Sequence, residues 1–154
     1  SGSSSVGGAT LVIWKDGSAA ITNKIAEADF PKVSLAHSGF SVVLRDGVIP
    51  TLKGHPSLAP RTAGGLSEDG RYLYILTVDG RQKKWSQGAD MRDLALILSA
   101  AGADDAMNFD GGGSTKLVVW DEKEGKPFIF NRHGPQKGYY RPVALNAGII
   151  LPRE

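Results

Sequence analysis

The chain has 154 residues, 41% hydrophobic and 22% charged, a size and balance that allow a real apolar core. A net charge of +2 with scattered basic residues argues against nucleic acid as a partner, and no apolar run is long enough to span a membrane. There are no cysteines, which excludes disulfides, thiolate nucleophiles and cysteine-based zinc sites.

Residues 1–8, SGSSSVGG, read as a disordered or linker-like start, and 9–154 as a single domain. ATLVIWKDGSAAIT predicts two short strands around a turn at Asp16-Gly17, since Asp-Gly is a strong hairpin signal. NKIAEADF predicts a short helix ending before Pro31. SGFSVVLRDGVI predicts a strand, a second Asp-Gly turn and the start of another strand. The loop TLKGHPSLAP follows. Next comes a hairpin, with strands Arg61 to Leu66 and Arg71 to Val78 joined by Glu68-Asp69-Gly70.

One helix stands out, Asp90 to Ala101. Asp90 and Asp93 have the spacing of a capping box, Met91, Leu94, Ala95 and Leu98 share a face, and Gly102 is a natural stop. DAMNF, STKLVVWD, FIFN and the closing RPVALNAGIIL predict further strands. Many short strands around one principal helix make an α+β domain with a mixed sheet core and short additional helices.

The chemistry concentrates in NFDGGGST, 108–115. Successive glycines can turn their N–H groups toward one anion, and Ser114 and Thr115 add hydroxyls. In an extended segment Asn108 and Asp110 share a face while Phe109 points to the core. Taken alone, Asp-Gly-Gly-Gly is more often a tight turn between strands. The dinucleotide and P-loop glycine patterns are absent. Asp79 ends an apolar strand, Arg61 opens one, and Arg141 and Asn146 lie in the closing segment.

Together, HPSLAPRTAGGLSEDGRYLYILTVDGRQ, GADMRDLALILSAAGADDAMNFDGGGSTKLVV and RPVALNAGIIL resemble the phosphodiester glycosidase family, in order, from about Ala36 to Leu151. The resemblance implies hydrolysis of a sugar-1-phosphodiester, of the N-acetylglucosamine-1-phosphodiester kind, at the anomeric carbon. It assigns catalysis to Asp110, Asp79 and Arg61. It assigns substrate binding to Asn108, Gly111, Gly112, Gly113, Ser114, Arg141 and Asn146. The glycine amides, Ser114, Arg61 and Arg141 would hold the phosphate; Asp110 and Asp79 would orient water or stabilise positive charge on the sugar. No cofactor is implied.

The family's usual Asn-Gly-Gly-Phe-Phe-like segment has no counterpart ahead of Ala36. The expectation is therefore that a complementary N-terminal segment or a second copy of the chain completes the fold. Family resemblance also implies an extracytoplasmic location and a phosphorylated carbohydrate partner. A competing reading is a non-catalytic module that binds phosphorylated or acidic cell-envelope polysaccharide. A third is a Ca²⁺ or Mg²⁺ site at Asp79, Asp110 and Asn108, although no EF-hand pattern is present. Trp85 is a candidate sugar-stacking residue, His55 and His37 are candidate acid–base partners, and His133 reads as surface.

Overall fold

The structure, a computed structural model, describes residues 8–52, 56–132, 142–143 and 146–150. Its centre is an antiparallel four-stranded sheet of order β4–β7–β5–β6, formed by β4 Ser41–Leu44, β7 Asp105–Asn108, β5 Arg61–Leu66 and β6 Leu73–Val78. A three-stranded antiparallel sheet of order β2–β1–β3 contains β1 Thr10–Trp14, β2 Ala19–Thr22 and β3 Val33–Ser38. A separate hairpin pairs β8 Val118–Asp121 with β9 Lys126–Ile129. The protein is α+β, mostly sheet, with one main helix.

That helix, α1 Met91–Ala101, begins at the Asp90 cap. The Asp90 carboxylate accepts from the Arg92 and Asp93 amides, and Asp93 reaches back to the Asp90 amide. Gly102 ends it in the left-handed region at φ 106°. Leu94, Ala95 and Leu98 are buried against Val43, Leu44, Ala63 and Ala106 of the central sheet. On the opposite face, Met107, Phe109 and Leu66 pack with Leu11 and Ile21 of the smaller sheet and with Ala9 just ahead of β1. The four-stranded sheet therefore lies between α1 and the three-stranded sheet. Phe109 is core, as its alternation predicts, and Gly64 leaves the room for its ring: a Cβ there would fall 2.8 Å from Phe109 Cε2.

The pairing register positions the site. Arg61 pairs with Val78, and Ala63 pairs with Asn108. The start of β5, the end of β6 and the end of β7 thus reach the same end of the sheet. The residues beyond them, Asp79 and Asp110, emerge beside Arg61.

Several local expectations change. The short helix is a 3₁₀ segment, Glu27–Lys32, that runs through Pro31 rather than stopping before it; its cap Ala26 provides no side-chain bond. After the Asp46-Gly47 turn the expected strand reduces to a single Arg45–Val48 bridge. Strand β3 was not expected, because its side chains are largely exposed and carry little apolar alternation. Strand β6 starts at Leu73, two residues later than expected, and STKLVVWD is strand only from Val118. The closing strand is absent among the described residues: 142–143 and 146–150 are irregular, with Ile149 and Ile150 exposed. No helix among the described residues is long and apolar enough to cross a membrane.

Candidate active site

The glycine loop follows β7. The Phe109 amide donates to the Thr62 carbonyl at 2.8 Å and the Gly112 amide to the Pro60 carbonyl at 2.7 Å, which lashes the loop to the start of β5. Gly112–Ser114 form a single 3₁₀ turn, with Gly112 at φ +60°. The exposed Asp110 accepts from the Gly111 amide at 2.9 Å, inside the loop. Asn108 and Thr115 bracket the loop and are buried. Asn108 Oδ1 and Thr115 Oγ1 have no hydrogen-bond partner among the described residues, and the same holds for His37 Nδ1. The His37 ring meets Phe109 edge-on at 4.7 Å.

Arg61 flanks the loop. An added Cβ on Gly111 would lie 2.9 Å from the Pro60 carbonyl and 3.7 Å from Arg61 Cδ. The guanidinium is fixed by bonds from Nε to the Ala89 carbonyl at 3.0 Å and from Nη2 to the Ser57 carbonyl at 2.7 Å. Partial burial pulls its pKa below the usual arginine value; the nearby Arg81 charge lowers it further, and Asp90 opposes the shift. Arg81 itself sits at φ 57°, a left-handed conformation rare for a residue with a side chain, and its guanidinium lies over Gly112. A Cβ on Gly112 would be 3.4 Å from Arg81 Nη1.

Asp79 organises the neighbouring wall. Its Oδ2 accepts from Trp85 Nε1 at 2.8 Å and from the Arg132 amide at 3.1 Å; Oδ1 accepts from Asn131 Nδ2 at 3.2 Å. Asn131 also reaches the Thr115 carbonyl at 3.4 Å and accepts from the Leu117 amide at 2.7 Å. One amide side chain therefore bridges Asp79 to the end of the glycine loop. Trp85 is exposed, with the Arg132 guanidinium 4.9 Å from its ring centre.

Arg61, Asp79, Trp85 and residues 108–115 are thus gathered into one region. Asn146 is exposed in an irregular segment. Arg141, His55 and His133 lie outside the described residues. Both oxygens of Asp79 are engaged by donors, which restricts their use as metal ligands. Among the described residues, the acidic group with metal-ligand spacing is Asp46, Asp104 and Asp105, at the Asp46-Gly47 turn. There Arg45 already pairs with Asp105 at 2.6 Å.

Sequence reasoning placed Arg81 in the family's Val-Asp-Gly-Arg motif without giving it a role, and did not single out Asn131 or Arg132. A polar residue directly after Asp-Gly at a strand end was the available signal for Arg81. Asn131 carries none, because its partner Asp79 is 52 residues away.

Residues 3–150 match the family model described as phosphodiester glycosidase. The chain belongs to the phosphodiester glycosidase family. This family is one of hydrolases, so the chain is of an enzyme family rather than of a binding-module family. The fold is similar to that of the catalytic domain of zebrafish N-acetylglucosamine-1-phosphodiester α-N-acetylglucosaminidase auto-inhibited by its pro-peptide. The TM-score is 0.65 at 23% identity, covering 90% of this chain and 50% of that one. A hypothetical protein from Synechocystis is also similar, with TM-score 0.51 and 21% identity over 75% of this chain and 21% of the other. The chain therefore spans half the length of the zebrafish structure and less of the Synechocystis one. No curated protein matches it.

Proposed function

We propose that the protein hydrolyses a sugar-1-phosphodiester at the anomeric carbon, and that N-acetylglucosamine is the sugar. The observation that carries this reading is the glycine loop lashed to Pro60 and flanked by the Arg61 side chain, with the exposed Asp110 at its entrance. The Gly111 amide is engaged by Asp110 and the Gly112 amide by the Pro60 carbonyl, so it is the Gly113 amide and a guanidinium, rather than a nest of three glycine amides, that suit a phosphodiester monoanion. A carboxylate at the rim suits a water or an oxocarbenium-like carbon beside it.

In the proposed reaction a water oxygen bonds to the anomeric carbon as the bond from that carbon to the phosphate oxygen breaks. The electron pair leaves with the phosphate, and Asp110 takes the water's proton. The products are the free sugar and a phosphomonoester. Phosphate is a good leaving group, so protonation of the departing oxygen is less necessary than in an ordinary glycoside. Asp79 acts by holding Trp85 and Asn131, and Trp85 is the surface on which the sugar stacks.

The zebrafish domain is auto-inhibited by its pro-peptide; by the same logic, a covering segment or a second copy is proposed as partner here. The exposed Leu73 and Ile75 on the edge strand β6 support it. Sedimentation at increasing concentration tests the second-copy form.

Incubating the protein with the methyl phosphodiester of N-acetylglucosamine-1-phosphate and assaying released sugar tests the reading. Asp110→Asn keeps the shape and removes the charge. It should lower turnover by a factor on the order of 10² or more at unchanged thermal stability. Binding without turnover in the wild type would instead mark a carbohydrate-binding module.

A further inference from the structure

Arg81 has no part in the reaction proposed above, yet its placement is specific. It is exposed, and its guanidinium makes no hydrogen bond or ion pair among the described residues. Its backbone is held in the left-handed region by a hydrogen bond that its amide donates to the Gln87 carbonyl at 3.1 Å. The paired Gln82 and Ser86 close the same small loop. Strained conformations of this kind cluster at ligand clamps and persist only where the surroundings over-determine them. A residue free to choose would relax and turn its side chain into solvent. Here the loop instead delivers the side chain onto Gly112.

The second observation is the neighbour. The Arg61 stem passes beside Gly111 and the Arg81 guanidinium lies beside Gly112, so consecutive glycines are each flanked by an arginine. The two arginines are close enough for Arg81 to depress the Arg61 pKa. Like charges this close repel, and Arg61 is held there by carbonyl oxygens rather than by a carboxylate. An anion of more than one charge placed between them relieves the repulsion and meets the Arg81 fork together with the Arg61 N–H groups that the Ala89 and Ser57 carbonyls do not take.

We propose that Arg81 is a second phosphate-binding residue of this site, and that with Arg61 and the glycine loop it forms a clamp matched to a phosphate dianion. Charge sets its role. A phosphodiester carries one negative charge, and the phosphomonoester that leaves carries up to two near neutral pH. The second charge develops as the carbon–oxygen bond breaks, so a second guanidinium favours the transition state over the bound substrate. The same clamp makes the phosphomonoester product and inorganic phosphate inhibitors. The charge-development step rests on the hydrolase reading above; the phosphate contact does not.

The test uses inorganic phosphate as probe, titrated calorimetrically into the full chain near pH 7.5. Wild type should bind it. Arg81→Gln should weaken binding at least tenfold, Arg81→Lys by an intermediate factor, and Arg92→Gln, on the exposed side of α1, not at all. Arg81→Asn gives a second neutral variant whose side chain tolerates the left-handed backbone, and thermal unfolding in phosphate-free buffer verifies that each variant is folded. In hydrolysis, Arg81→Gln should lower kcat more than it raises KM and weaken phosphate inhibition in parallel. Wild-type phosphate affinity in Arg81→Gln or Arg81→Asn overturns the proposal, as does a wild type that ignores phosphate at millimolar concentration. A wild type that binds phosphate through Arg81 yet hydrolyses no sugar phosphodiester supports the clamp and removes the hydrolase reading.

Discussion

Replacing Gly113 by alanine separates architecture from ligand contact. A Cβ added at Gly113 meets nothing within 4 Å, and its φ is not positive. The variant therefore fits the folded state and restricts the unfolded one, which stabilises by about 0.4–1 kcal/mol. At roughly 2–4 °C per kcal/mol for a chain of this size, Tm should rise by about 1–4 °C. Its two neighbours behave differently. Gly112 sits at φ +60°, where a side chain costs about 1–2 kcal/mol, although its Cβ would make only ordinary contact with Arg81. Gly111 has φ −134°, but its Cβ would lie 2.9 Å from the Pro60 carbonyl that accepts the Gly112 amide. That backbone cannot yield without losing the bond, and overpacking of this kind costs about 1–3 kcal/mol. Gly111→Ala and Gly112→Ala should both lower Tm. If substrate phosphate rests on the loop, only the methyl at Gly113 opposes the ligand without opposing the protein. Gly113→Ala should then lower kcat/KM roughly 10–10²-fold, the scale of a misplaced reacting group, while Tm rises. The paired assay is differential scanning fluorimetry with steady-state hydrolysis. Wild-type kcat/KM in a folded Gly113→Ala would refute the reasoning and leave the third glycine without a ligand role.

Two further outcomes follow from hydrogen bonds at either end of β6. Asp79→Asn puts an amide where a carboxylate accepts from Trp85, Asn131 and Arg132, so it should cost about 1–3 kcal/mol. Trp85 fluorescence should shift in the native state, and an unchanged spectrum and Tm would show that Asp79 does not position this wall. In the turn ahead of β6, the Ser67 hydroxyl at 2.6 Å and then the Arg71 amide hold the Asp69 carboxyl below its ordinary value of 3.8. A depressed carboxylate contributes stability above its unfolded pKa and loses it as pH falls through the folded one. In Ser67→Ala the Asp69 pKa should move up toward 3.8, read from the carboxyl carbon shift in an acid titration; an unmoved titration would remove Ser67 as the cause.

The amino-acid sequence determined what is local. Asp90, Asp93 and Gly102 define both ends of α1 within the chain itself, and the bounds of β5 follow from its apolar run and the turn at Asp69-Gly70. Phe109 reads as core because alternation needs only its neighbours. The family also was legible, because PRTAGG, VDGR and NFDGGGS occur in the right order. Strand β3 was not legible: it is an edge strand with exposed side chains, and only its pairing with β1 makes it a strand. The site is the clearest division. Glycines 111, 112 and 113 look identical in sequence, yet the tertiary structure gives the first a carbonyl to accommodate, the second a left-handed turn under Arg81, and the third open space. Pairing of β5 with β7 across more than 40 residues brings Arg61 beside the loop, and Asn131 joins Asp79 to Thr115 from 52 residues away. Such contacts depend on register between distant strands, which side-chain periodicity along one strand does not encode.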